Sequence, residues 1–154
     1  SLINPGSNYR VFDDILKYVY EAGEGTGEKE EVGHQQNYKM GVLMGIMTVE
    51  SISKATEKYG NKPMSGEQVR WGIENLDLNE ARLKEMGIDG FIPAFKVSCS
   101  DHEGSAPVKF QKWNGKEFEP ASDWIATDQS IVRPMIEASA SGYAKEKGIT
   151  PGCN

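Results

Sequence analysis

A long helical stretch at residues 37–59 constrains this chain more than any other feature of its sequence. Apolar side chains recur over most of its circumference: Tyr38, Val42, Leu43, Ile46, Met47, Val49 and Ile52. A surface helix carries one apolar stripe, whereas a helix that is apolar on nearly all sides is buried by its neighbours. We therefore expect this segment to be the central and most buried helix of the fold.

Two glycines, Gly41 and Gly45, lie four residues apart in this predicted helix and so share one face. Glycine lowers helix propensity but lets another backbone approach closely. The apolar run at residues 40–49 is about half the length needed to cross a bilayer. We therefore interpret the glycine pair as a close packing contact rather than as a membrane dimer motif.

Length and composition are those of one folded domain. The chain has 154 residues, of which 38% are hydrophobic and 26% charged, so it can bury a core and is not disordered. The formal net charge of −6, with no stripe of Lys or Arg, argues against nucleic acid as a partner. The chain opens with Ser1-Leu2-Ile3-Asn4-Pro5, without a start methionine or a leader peptide. We interpret it as a processed, tagged or truncated chain.

Three shorter helices are predicted before residue 90. Residues 11–20 carry the apolar stripe of an amphipathic helix. Ser65 and Gln68 have the spacing of a capping box, which predicts that a helix begins there. Asn79 is a typical N-cap for the next helix, and Gly87 is placed to end it.

The pattern changes to strands at residues 91–126. Asn114-Gly115 between two extended runs is a strong hairpin signal, with Phe118 on the returning arm. A final helix is predicted at residues 130–147. The chain is therefore expected to be helix-rich α/β with a β-hairpin towards its carboxyl end.

Asp101-His102-Glu103, close to Cys99, is the cluster that most resembles an enzyme site. Carboxylate, imidazole and thiolate groups bind metals and transfer protons. Neighbouring positions on one tight turn cannot all converge on one ion, however. We favour a solvated turn over a metal or catalytic site, and expect no metal and no cofactor.

Cys99 and Cys153 are the two cysteines of the chain. Three states are open to them: a disulfide, two inert thiols, or a reactive Cys99 activated by His102. We favour the disulfide, which would tie the carboxyl-terminal tail to the strand region.

Polar side chains are concentrated where the long helix begins, at His34, Gln35, Gln36 and Asn37, followed by Tyr38. Exposed backbone N–H groups at a helix start favour carboxylates, and these side chains offer oriented hydrogen bonds. The segment is therefore either a ligand-facing edge or a helix start with polar neighbours, and residue chemistry favours neither.

Several short motifs, in this order, resemble the type I periplasmic binding proteins of the branched-chain amino acid family, in their carboxyl-terminal portion. The resemblance rests on Gly33-His34-Gln35-Gln36-Asn37-Tyr38-Lys39-Met40-Gly41, Met64-Ser65-Gly66-Glu67-Gln68-Val69-Arg70-Trp71-Gly72-Ile73-Glu74, Cys99-Ser100-Asp101-His102-Glu103-Gly104, Lys112-Trp113-Asn114-Gly115-Lys116 and Ser122-Asp123-Trp124-Ile125. It covers nearly the whole chain.

The resemblance implies a two-lobe, Rossmann-like α/β protein, of which this chain is mostly one lobe. In that division residues 9–90 are helical, residues 91–126 form strands and a hairpin, and residues 130–147 form the last helix. The parallel strands of the family lie mostly upstream. An isolated piece would therefore expose surface meant for its missing neighbours and self-associate.

The resemblance implies that the chain is the solute-binding component of an ABC importer, without enzymatic activity. The expected ligand is an amino acid or an aromatic or other organic acid, contacted by Gly33, His34, Gln35, Asn37 and Tyr38. The expected partners are the permease subunits, and the expected location is the periplasm, with or without a lipid tether. The alternatives are a ligand-sensing receptor domain of the same fold and a small thiol- or metal-dependent enzyme.

Overall fold

The computed structural model describes residues 8–104, 107–150 and 153. The opening residues Ser1 to Pro5, and Ser105 in the polar turn, lie outside this described part. In chain order its elements are α1 (Arg10–Ile15), which continues as a π-helical turn (Leu16–Tyr20), a 3-10 turn (Lys29–Glu31), α2 (Gln36–Tyr59), α3 (Gly66–Glu74), β1 (Asp77–Leu78), α4 (Glu80–Glu85), β2 (Phe95–Lys96), β3 (Gln111–Trp113), β4 (Phe118–Pro120) and α5 (Gln129–Lys147).

Local hydrogen bonds start α3 and α4 where the sequence predicts them. The Gln68 backbone N–H donates to Ser65 Oγ at 3.4 Å, and the Ser65 N–H donates to Gln68 Oε1 at 3.0 Å, so the predicted capping box is confirmed. Asn79 Oδ1 accepts from the Arg82 N–H at 3.0 Å. Gly87, with φ +71°, follows the end of α4.

The core lies where α1, α4 and the connection between α4 and β2 meet. Its largest fully buried side chains are Phe12, Leu78, Leu83, Ile88 and Phe91. The pair β1–β2 is antiparallel, with Leu78 opposite Phe95, and closes one side of this core. A bidentate ion pair between Arg82 and Glu50, at 2.7 and 2.5 Å, joins α4 to α2.

The long helix α2 begins and ends within one residue of the predicted stretch, but its burial differs from the expectation. Within the described part, α2 buries Lys39, Leu43, Ser51 and Ala55. Met44 and Val49 are 63% and 61% exposed. Within that part α2 still buries more residues than any other helix, four against at most one, but the described residues cover only one side of it and the apolar side chains on the other side are exposed.

The helices α2 and α3 pack backbone against backbone at Gly72. A Cβ atom placed on Gly72 would overlap the carbonyl oxygen of Ser51 and lie 3.2 Å from the Cβ of Ala55. Ser51 and Ala55 are almost completely buried by this contact. Glycine at this position is what allows α3 to lie so close to α2.

The variant Gly72→Ala is expected to lower the free energy of unfolding by about 2 kcal/mol, because the added methyl group forces α3 away from α2. Urea denaturation followed by circular dichroism measures the change. Gly66→Ala is the matched control, because nothing lies within 4 Å of the position of its Cβ. Equal stability of the two variants would contradict the close approach at Gly72.

The chain after β2 forms a hairpin and the helix α5. The hairpin β3–β4 pairs Trp113 with Phe118, and its turn is held by Asn114 Oδ1, which accepts from the Lys116 and Glu117 N–H groups at 2.8 and 2.9 Å. The predicted hairpin is confirmed. None of the helices in the described residues combines the length and apolarity that crossing a bilayer requires.

The helix α5 buries no residue within the described part of the chain. Its Arg133 lies 3.1 Å from Asp101 Oδ1 and also donates to the carbonyl oxygen of Ser100. Beyond its last turn, Cys153 is bonded to Cys99. These contacts hold α5 beside the polar turn that follows β2.

Candidate functional site

Two of the five residues expected to contact a ligand, Gly33 and Tyr38, pack against the core. Gly33 has φ +74°, and a Cβ atom there would lie 2.7 Å from the ring of Phe12. The ring centroids of Phe12 and Tyr38 are 6.4 Å apart. Burial, and next the charge of Tyr20, raise the pKa of Tyr38. Both residues therefore contribute packing where α2 begins.

The other three, His34, Gln35 and Asn37, are exposed to solvent. Gln35 occupies the N-cap position of α2 without a side-chain capping bond, and its Nε2 donates instead to Glu31 Oε1 at 2.9 Å. The structure thus places a polar edge at the start of α2. It lies beside the core residues Gly33 and Tyr38 but is not enclosed by the described residues.

Lys39, in the first turn of α2, is a buried charged residue that the sequence pattern does not single out. It is 4% exposed, and desolvation lowers the pKa of its amine. Within the described part of the chain, the Lys39 Nζ forms no hydrogen bond and no ion pair. A buried amine without a partner is more stable in its neutral form than as an ammonium ion, which explains why the pKa of Lys39 is lowered.

The disulfide between Cys99 and Cys153 is present, and the prediction is confirmed. Their Cα atoms are 5.4 Å apart, within the usual range for a bridge. Because Cys99 Sγ is bonded to Cys153, it offers no thiolate to a substrate in this state. The thiol-enzyme alternative therefore lacks its nucleophile.

The side chains of Asp101, His102 and Glu103 do not converge. Asp101 and Glu103 point towards Arg133, at 3.1 and 3.6 Å, and Asp101 also accepts from the Gly104 N–H at 3.0 Å. His102 Nε2 lies 3.4 Å from Glu74 Oε1 on the opposite side. Throughout residues 8–104, 107–150 and 153, no three His, Cys, Asp or Glu side chains are placed to hold a metal ion.

An apolar groove of about 440 Å³ lies between α2 and α3, and we call it the α2–α3 groove. It is lined by Met44, Met47, Thr48, Ser51, Val69, Arg70, Ile73, Glu74, Leu76, Val97 and His102. At one end, Arg70 Nε donates to Glu74 Oε1 at 2.7 Å, and the Glu74 side chain is 13% exposed. His102 contacts this same carboxylate.

The α2–α3 groove has the chemistry of a binding surface. Its methionine side chains adapt their shape to an apolar partner, and its charged groups are already paired with one another. The His102 imidazole and the Glu74 carboxylate pair with each other at 3.4 Å, and the hydroxyl groups of Thr48 and Ser51 donate to backbone carbonyl oxygens within α2. Sequence reasoning missed this groove, although the apolar spacing of Met44, Met47, Val69 and Ile73 along two adjacent helices is the signal that indicates it.

Comparison with known proteins gives one informative result. No protein-family model matches the chain, and no curated protein matches it. A solved structure described as an ABC transporter permease from the Pseudomonas fluorescens group is similar to it, with a TM-score of 0.91 and 35% sequence identity. The match covers 100% of this chain and 37% of that protein.

This comparison corrects the identity expected from the sequence motifs. The similar structure is described as a permease, so the resemblance to type I periplasmic binding proteins and the expected role as solute-binding component are wrong. What the comparison supports is a link to ABC transport at a coarser level. The motifs misled because several of them, such as the Ser65 capping box and the Asn114 turn, arise from local hydrogen bonding in unrelated proteins.

Proposed function

We propose that this chain is one portion of a protein component of an ABC transporter, and that it acts by non-covalent assembly with the other subunits. One observation carries the proposal: the whole chain is similar, at 35% identity and a TM-score of 0.91, to a segment of a protein described as an ABC transporter permease. At that level of identity, likeness over the full length supports a related role as well as a related fold.

The chemistry of the described residues also supports assembly. The α2–α3 groove offers apolar surface with paired charges at one end, as the interfaces of stable complexes do. The groups that suggested an enzyme, Cys99 and His102, are held in a disulfide and beside Glu74. The portion therefore offers surfaces for contact.

The proposed location of this portion is an oxidising compartment such as the periplasm. Its support is the bridge between Cys99 and Cys153, because disulfides persist in oxidising compartments and are rare in the cytosol. The transported solute, an amino acid or another organic acid, is the proposed ligand of the assembled transporter. In that assembly His34, Gln35 and Asn37 remain the proposed polar contacts, because they are exposed together at the start of α2.

Assembly is tested by purifying the affinity-tagged polypeptide, at its native length, from its own cells after mild crosslinking. We expect an ABC ATPase subunit, identified by mass spectrometry, to be enriched at least tenfold over a purification of the tag alone. The reciprocal purification, from a tagged ATPase subunit, should return this chain. Absence of enrichment in both directions would overturn the proposed function.

A further inference from the structure

The charges of α2 lie on one side of the helix. With about 100° between successive residues, its charged residues group together: Lys39, Glu50, Lys54, Glu57 and Lys58. The opposite side holds no charge, and we call it the uncharged face: Gly41, Gly45, Thr48, Val49 and Ile52. A helix that borders water normally turns its charged side outwards.

In the described part of the chain, α2 departs from this rule over its first four turns, whereas Glu57 and Lys58 near its end are exposed as usual. Val49 and Ile52 on the uncharged face are 61% and 42% exposed. On the charged side, Lys39 is 4% exposed and the Glu50 side chain is 12% exposed, where it binds Arg82. A face of α2 that is suited to burial is therefore left uncovered by the described residues.

The hydroxyl group of Thr48, on the uncharged face, does not depend on water for a hydrogen bond. Thr48 Oγ1 donates to the carbonyl oxygen of Met44 within the helix, at 2.8 Å. Burial of a hydroxyl group is costly when it loses its hydrogen-bond partner, and this hydroxyl would keep its own. The whole face can thus be covered without leaving a polar group unsatisfied.

Gly41 and Gly45, the glycines of this face, differ from Gly72 in what surrounds them. At Gly72 the absent side chain lets the backbone of Ser51 approach, whereas nothing lies within 4 Å of a Cβ at Gly41 or Gly45. A glycine inside a helix lowers stability unless something uses the space. At Gly41 and Gly45, no described residue uses it.

We propose that the uncharged face of α2 is the surface against which the rest of a longer polypeptide packs, with its backbone closest at Gly41 and Gly45. The occupant corresponds to the part of the Pseudomonas protein that the match leaves out, because the match spans 37% of that protein. This inference rests on the proposed function, in which the chain is one portion of a transporter component. A second copy of this chain is the competing occupant.

Gly45→Ala tests the inference through the sign of its effect. In the 154-residue chain, where the space is open, alanine should raise the melting temperature by about 2–4 °C through its helix propensity. In the polypeptide at its native length, the same methyl group would meet the packed backbone and lower the melting temperature. A rise in both proteins would overturn the inference.

Val49→Lys provides a second measurement, with Met40→Lys as its matched control, an exposed apolar residue in line with Lys58 on the charged side of the same helix. Both positions are exposed in the described chain. In the native-length polypeptide, Val49→Lys should lower the melting temperature by at least about 5 °C and Met40→Lys by less than about 1 °C, since most surface substitutions change stability little. Equal effects would overturn the inference.

Three further results distinguish the alternatives. Analytical ultracentrifugation that shows a native-length dimer, which Val49→Lys converts to a monomer, would assign the face to a second copy and overturn the inference. A native polypeptide of 154 residues would also overturn it. If Gly45→Ala stabilises both proteins while the ATPase subunit still co-purifies, the inference fails and the proposed function stands. If the unmodified protein does not co-purify with the ATPase subunit, the proposed function fails.

Discussion

Replacing Phe91 by alanine should lower the free energy of unfolding by about 4 kcal/mol. Phe91 is completely buried, and its ring centroid lies 5.1 Å from that of Tyr9 and 5.6 Å from that of Phe12. These rings join α1 to the connection between α4 and β2, which lie far apart in sequence. The truncation removes buried area and leaves a cavity that rigid neighbours cannot fill. Urea denaturation of the purified chain measures the loss.

Phe110→Ala is the matched control, with the same change of side chain at a position that is 63% exposed. Its effect should stay within about 0.5 kcal/mol, because the removed ring is already in water. The free energies of unfolding of the two variants should therefore differ by several kcal/mol. A similar loss in both would show that the aromatic cluster is not the centre of the core.

Elements that depend on local physics could be predicted from the sequence. The capping box at Ser65, the N-cap at Asn79 and the turn at Asn114 each form through hydrogen bonds between neighbours in the chain. For the same reason, the bounds of α2 follow from its composition. Such features can be predicted without knowing which elements pack against each other.

The burial of each element could not be predicted in the same way. The periodicity of α2 indicates that most of its sides are apolar, but not whether this chain supplies the atoms that cover them. The described residues leave Val49 exposed and bury Lys39, the opposite of the pattern's indication. Burial depends on contacts distant in sequence, which a single sequence does not specify.

At the candidate site, too, local features could be predicted from the sequence and packing could not. Polar residues at the start of α2 were visible, yet Gly33 and Tyr38 pack against Phe12 while His34 faces solvent. The α2–α3 groove forms only when α2 and α3 meet at Gly72, so the sequence of either helix alone does not predict it. For the disulfide, the pairing was predictable because two cysteines admit a single intramolecular partner, whereas the sequence alone left free thiols as an alternative.

The double variant Cys99→Ser/Cys153→Ser should lower the free energy of unfolding by about 4 kcal/mol, because the bridge closes a long loop in the unfolded chain. The two cysteines are 54 residues apart in sequence, and the loop includes the hairpin and α5. Since α5 buries no residue within the described part, it has few other contacts to hold it. Urea denaturation of the variant and of the oxidised chain gives the difference.

Reduction of the unmodified chain is the control for this variant, because it breaks the same bond without changing a side chain elsewhere. Both should show a loss of similar size. Hydrogen exchange adds a local test: amides of α5 should lose more protection than those of α3, whose packing at Gly72 the bridge does not touch. If α5 keeps its protection after reduction, its position depends on Arg133 and its carboxylate partners rather than on the disulfide. A stability loss below about 1 kcal/mol would lead to the same conclusion, since a loop of this length should contribute several times more.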